Sequence, residues 1–119
     1  MGFVQVEIRL RNPDEPQRAE ALSGLVDTGA LVSVVPTALL ERIGVVARRS
    51  QKFTLAHGTR VERRTGVATV EYNGRATEVP VAFGEPGDAT VIGVTTLELL
   101  GLEVDPVRRE LRPTDLLLL

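Results

Sequence analysis

One acidic residue in this chain stands where acids are expensive. Asp27 follows Ala21, Leu22, Leu25 and Val26, and after a tight turn of small residues, Thr28-Gly29-Ala30, the chain continues through Leu31, Val32, Val34 and Val35. Such flanks predict a buried strand that ends at Asp27, with the carboxylate held away from bulk water. A carboxylate there costs free energy unless something uses it. The residues around it must supply a core almost without aromatics, which make up 3% of the chain. Val, Leu, Ile and Ala remain, and the β-branched members favour strands. A length of 119 residues suits one domain, spanning 1–119, with one modest core.

The pattern along the chain agrees with a β-rich fold. From Phe3 to Leu10, Val4, Val6, Ile8 and Leu10 alternate with Gln5, Glu7 and Arg9, as in a half-buried strand. Arg11 to Pro16, with two prolines and two acids, is a loop that returns the chain into a strand from about Arg18 to Val26. Leu31 to Val35 is predicted as a short buried strand, and Pro36 as the start of a helical turn over Thr37 to Ile43. Gly44 stands at the left-handed stop. Val45 to Ala56 becomes strand-like towards its end, and His57-Gly58 marks a hairpin tip. Val61 to Tyr72 and Arg75 to Phe83 are strands joined at Asn73-Gly74, the strongest hairpin signal present. After a loop from Gly84 to Asp88, Val91-Ile92-Gly93 re-enters the interior. Thr95 and Glu98 then offer a capping box for a helix that stops at Gly101. Leu102 to Asp105 and Arg109 to Arg112 form a last hairpin.

Asp27-Thr28-Gly29-Ala30 after apolar residues, followed later by Val91-Ile92-Gly93 and a helix, resembles the active-site constellation of the aspartic peptidases. One such motif in a short chain is similar to the retropepsin-like type, in which two identical chains build one site. The resemblance implies an all-β, closed-barrel acid protease fold with one or two short helices. It also implies a homodimer acting on peptide or protein substrates, with Asp27 as the catalytic carboxylate of each chain. Thr28 would hydrogen-bond across the dimer axis, Gly29 would allow close approach, and Ala30 would leave the cleft open. Val91, Ile92 and Gly93 would pack beside the catalytic turn, and Ala56, His57 and Gly58 would form the tip of a flap over the substrate. Viral retropepsins usually carry an acid two positions after the first Gly and an Arg after the second; here Leu31 and Val94 stand in those places.

Blander readings stand beside these. Asp27 can simply cap a turn, either in an unrelated barrel or in a binding module that holds a peptide without cutting it. His57, the single histidine, has no Cys, second His or acidic cluster at ligand spacing, so neither a metal nor a cofactor is expected. Asp105-Pro106 reads as a strand end. Arg60, Arg63 and Arg64, and Arg108, Arg109 and Arg112, interleave with acids as on solvated strand faces. A net charge of −2 and a pI near 5.4 give no footprint for nucleic acid. No apolar run has membrane-spanning length and no signal peptide pattern is present, so a soluble, cytoplasmic protein is expected, in keeping with the absence of cysteine. The N-terminal strand (1–10) and the tail (113–119), with Leu116 to Leu119 apolar, are candidates for the dimer interface.

Overall fold

Period-two alternation with an apolar inner face produces a barrel. The computed structural model of the chain describes residues 4–115 and 118. The expected interface tail from Leu116 to Leu119 therefore lies outside the described residues, apart from Leu118. The elements run β1 (Gln5–Arg11), β2 (Ala19–Asp27), β3 (Ser33–Pro36), α1 (Thr37–Arg42), β4 (Arg49–Thr54), β5 (Arg60–Tyr72), β6 (Arg75–Gly84), β7 (Val91–Gly93), α2 (Val94–Leu100), β8 (Leu102–Asp105) and β9 (Glu110–Pro113). Strand order is β1-β2-β7-β3-β6-β5, and β1 pairs with β5 to close the ring. The fold is thus an all-β closed barrel with two short helices, as expected. β4 lies outside the ring, on the edge of β5, and β8 with β9 forms a separate two-stranded sheet.

The lumen is filled by aliphatic side chains, among them Leu10, Val35, Leu40, Val70, Val79, Val81 and Ile92, each 1% exposed or less. Burying a side chain of this size stabilises the fold by about 1.5–3 kcal/mol. Closure occupies the N-terminal strand: β1 pairs with β2 along its whole length and, from Arg9 to Arg11, with β5 as well. The loop after it is held by buried Asn12. Its Nδ2 donates to the carbonyls of Ile43 and Gly44 at 3.0 Å each, and its Oδ1 accepts from the Asp14 and Glu15 amides. One side chain thereby joins this loop to the end of α1, whose stop at Gly44 has the left-handed φ of 79°.

Two expectations change. Leu31 is 63% exposed rather than buried, because β3 begins only at Ser33 and residues 28–32 form a loop over the end of the barrel. The capping box does not form. α2 starts two residues earlier than a cap at Thr95 required, with Gly93 as the cap residue and no side-chain cap bond. Backbone carbonyls from elsewhere in the fold occupy its first amides, as described below.

Asn73 and Gly74 both take positive φ, 47° and 78°, at the β5–β6 turn, the geometry that a two-residue hairpin of this type needs. A Cβ on Gly74 would meet nothing within 4 Å, so Gly74→Ala incurs only backbone strain. The expected loss is about 1–2 kcal/mol, measured as a shift in the urea unfolding midpoint with the slope unchanged.

Candidate active site

The site grows out of a chain crossing. β7 lies between β2 and β3, parallel to β2 (Leu25 opposite Val91, Val26 opposite Ile92, Asp27 opposite Gly93) and antiparallel to β3 at Val34 and Val91. Since β2 and β3 are consecutive in sequence, the connection from Asp27 to Val32 must pass over the end of the strand between them. Gly93 is the residue beneath it. A Cβ there would sit 2.5 Å from the Val32 carbonyl carbon, 2.6 Å from its oxygen and 3.0 Å from the Ala30 oxygen. The φ of Gly93 is an ordinary −82°, so this glycine is required by close approach alone.

With no side chain between them, the loop and the start of α2 bond directly. The Val94 amide donates to the Ala30 carbonyl at 2.8 Å, and the Thr95 amide to the Leu31 carbonyl at 3.1 Å. The first amides of α2 are therefore satisfied by the backbone of the loop after Asp27 rather than by side chains. Underneath, the buried Ser33 hydroxyl accepts from the Gly93 amide at 3.0 Å and shares a 2.7 Å hydrogen bond with the buried Thr96 hydroxyl. Sequence reasoning missed this pair. The signal available was two small hydroxyl residues, each in an apolar run, 63 positions apart.

Asp27 closes its own turn: its Oδ1 accepts the Gly29 amide at 2.9 Å, and its carbonyl accepts the Ala30 amide at 3.1 Å. In the single chain Asp27, Thr28 and Gly29 are exposed and Ala30 is half-buried. The expectation of a buried carboxylate is corrected here: β2 carries Asp27 out to the rim of the barrel, where the turn opens into a cleft. That cleft has a volume of about 520 Å3 and is lined by Asp27, Gly29 and Ala30, by Val32, Val34, Ala82, Ala89 and Val91, and by Phe53, Leu55, Ala56 and Val61 from above. Phe53 and Val61 face each other across the β4–β5 ribbon. The ribbon turns at residues 55–59, where the Leu55 amide donates to Thr59 O and the Gly58 amide to Leu55 O, both at 2.8 Å. Of the expected flap-tip residues, Ala56 reaches the cleft lining, while His57 and Gly58 lie exposed at the tip. Val91 lines the cleft, whereas Ile92 and Gly93 are buried beneath the loop.

Arg63 also departs from its reading as a solvated charge. It is half-buried in the cleft wall, with Nε donating to Asp88 Oδ2 at 2.8 Å and Nη2 to Oδ1 at 2.9 Å. By contrast Asp105 is the strand end it was read as, accepting the Val107 and Arg108 amides of the following turn. Among the described residues no three His, Cys, Asp or Glu side chains gather as a metal cage requires, and no helix is long and apolar enough to cross a membrane.

Known proteins carry the same architecture. The EIAV protease complexed with the inhibitor HBY-793 superposes with a TM-score of 0.63 at 23% identity, covering 87% of this chain and 93% of that one. The fold is retropepsin-like. At the level of sequence, the family profile described as Aspartyl protease matches residues 17–104, a span that includes the Asp27 turn, the β4–β5 ribbon and Gly93. The chain belongs to the aspartyl protease family. No match was found among curated proteins.

Two outcomes follow from this geometry. Ser33→Ala leaves the Gly93 amide and the Thr96 hydroxyl without their buried partner, and should cost about 1–3 kcal/mol. Gly93→Ala must push the loop aside and should cost at least as much by denaturant unfolding, in contrast to Gly74→Ala, where nothing is displaced. A pH effect belongs to Asp88. The hydrogen bonds from Arg63 hold its carboxyl below the ordinary carboxylate range, against the opposing effect of partial burial and with help from the Glu85 amide. Because the folded state binds this proton less readily than the unfolded chain, the stabilisation is complete above the usual carboxylate pKa and fades as pH falls through the lower folded value. The difference in unfolding midpoint between wild type and Asp88→Asn should be full at neutral pH and shrink steadily towards acid pH.

Proposed function

We propose that the protein is a homodimeric aspartic endopeptidase in which a water molecule is activated between two Asp27 carboxylates, one from each chain. The observation that carries this reading is Asp27 itself, on a turn braced by hydrogen bonds, at the rim of a cleft whose roof and walls are mainly apolar. Hydrolysis of an amide by carboxylates needs a base to take a proton from water and an acid to protonate the carbonyl oxygen. Two carboxylates sharing one proton serve both roles, because like charges in contact do not both ionise cheaply. The tetrahedral intermediate then collapses with the proton delivered to the leaving amine.

One chain supplies one such group. A twofold axis beside the turn brings Asp27 against its mate, since an isologous interface places each residue opposite a copy of itself or of its partner. Support for a covered face comes from the groove next to Thr28. Its apolar lining is Val94, Leu97, Leu99, Leu102 and Val104, beside Glu98, Glu103, Thr114 and Asp115; it has a volume of about 470 Å3 and includes Leu99 at 48% exposure. A second copy seated there would bury apolar surface and turn Thr28 towards its counterpart. The flap would fold down on an extended peptide, excluding water and adding strand-like hydrogen bonds. Apolar walls favour apolar side chains flanking the scissile bond. No cofactor enters this mechanism, and the site of action consistent with a cysteine-free chain is the cytoplasm.

Leu31 and Val94 motivate the second reading, a peptide-binding module that does not cut, because they replace the charged pair of viral relatives. The backbone bonds from Val94 and Thr95 to the catalytic loop are present without that pair, which favours the enzyme. The test is a digest of a mixed peptide library across acidic to neutral pH, read by mass. Wild type should yield products, and Asp27→Asn should reduce their rate by at least about 10^2–10^4-fold while sedimenting as the same dimer. Peptide retention without product at every pH would favour the binding module, and undiminished cleavage by Asp27→Asn would remove the mechanism.

A further inference from the structure

Arg63 and Asp88 line the same cleft as Asp27, yet the acid mechanism gives them nothing to do. Their place in the topology does. β5 is paired with β6 only from Thr65 onward, and residues 60–64 are paired with β4 alone. β4 is the end strand of its sheet. The flap is thus a two-stranded ribbon projecting from the barrel, and such a ribbon is marginally stable without further support. Arg63 is the first residue of that overhang on the cleft-facing side of β5, two positions from Val61 and so on the same face.

Its partner is fixed in advance. Asp88 closes the turn from Glu85, accepting the Glu85 amide on Oδ2 at 2.8 Å while its own amide donates to the Glu85 carbonyl at 2.9 Å. The carboxylate is therefore oriented before Arg63 reaches it. The guanidinium then adds two parallel bonds and donates its Nη1 to the Glu62 carbonyl at 2.9 Å. With side-chain exposures of 17% and 24%, this is a partly desolvated, bidentate contact, the strong kind of charged pair. Ala89 and Val91, directly beyond Asp88, form the wall under the roof.

We propose that the Arg63–Asp88 pair is a strut that joins the stem of the flap to the cleft wall and sets the height of the roof over a bound peptide. It is a positioning pair for the proposed peptidase, and in that respect rests on the reading above. The strut holds the stem while leaving residues 55–59 free to rise and fall. On the outer face, Arg64 lies over the Phe83 ring at 4.8 Å from its centre, a contact that steadies the ribbon but does not reach the wall.

The experiment uses the full chain with Arg63→Gln, Asp88→Asn, Arg63→Lys and the exchange Arg63→Asp/Asp88→Arg, read in two ways. Amide hydrogen exchange at Leu55 and Gly58, whose amides are bonded within the tip, should speed up roughly ten-fold or more in the first two variants, with barrel amides such as that of Val70 unchanged. Lysine, which lacks the fork, should not restore slow exchange, and the charge exchange should restore it in part. On a peptide substrate, KM should rise with kcat little altered, the pattern of lost positioning rather than lost chemistry. Tip exchange at the wild-type rate in Arg63→Gln, or acceleration spread evenly over the barrel, would overturn the strut. If wild type cleaves nothing, the peptidase reading fails while the exchange rates still decide whether the strut exists.

Discussion

The passage of the Asp27–Val32 connection over Gly93 is the constraint on which the rest of the molecule depends. Because β7 lies between two strands that are neighbours in sequence, the chain must cross it, and only a residue without a side chain lets the backbone pass at this distance. The crossing then answers a second need. It brings the Ala30 and Leu31 carbonyls to the first amides of α2, and the Ser33 hydroxyl to the Gly93 amide. Each such bond contributes only about 0.5–1.5 kcal/mol net, but each left unmade in a buried place would cost about 1–3 kcal/mol. The turn that carries Asp27 is therefore fixed from below by groups with no cheaper arrangement. A rigid turn suits electrostatic catalysis, where reacting groups should already be in position.

The exposure of Asp27 in the isolated chain has a physical reason of its own. A lone carboxylate carried into an apolar interior would lose its hydration without a partner. Set at the rim, the same group keeps water until something covers it. In the proposed dimer, assembly is the step at which burial, pairing and chemistry arise together, and the apolar part of the groove beside Thr28, formed by Val94, Leu97, Leu99, Leu102 and Val104, offers surface whose burial can offset the desolvation. In the same way the β4–β5 ribbon extends past the barrel on the edge of β5, with Arg63 paired to Asp88 at its base; in the proposed strut this pair keeps the stem in place and leaves the tip movable. Both features put the costly step at the moment of use.

Much of this was legible in the chain. Alternation located β1; Asn73-Gly74 located the turn between β5 and β6; and the apolar-apolar-Gly segment located the strand under the loop after Asp27. These signals are local, carried by residues within a few positions of one another. What could not be read was set by distant partners. Ser33 and Thr96 are ordinary small polar residues until the fold brings them together, and Arg63 resembles its neighbours Arg60 and Arg64 until the loop at Asp88 folds back to it. The capping box at Thr95 and Glu98 was a sound local signal that lost to closer acceptors in the tertiary structure. Leu31 and Asp27 were placed inside because apolar flanks report on the strand, and a strand can end at a rim.

The central claim is that one active site takes one carboxylate from each of two chains. The most direct measurement is subunit mixing. Wild-type and Asp27→Asn chains are combined in varied proportions, allowed to exchange, and assayed at constant total protein. If both acids are needed, activity follows the square of the wild-type fraction, and an equal mixture retains about a quarter of the full rate. A linear dependence, with about half of the rate retained in the equal mixture, would mean that each chain acts alone and would contradict the account.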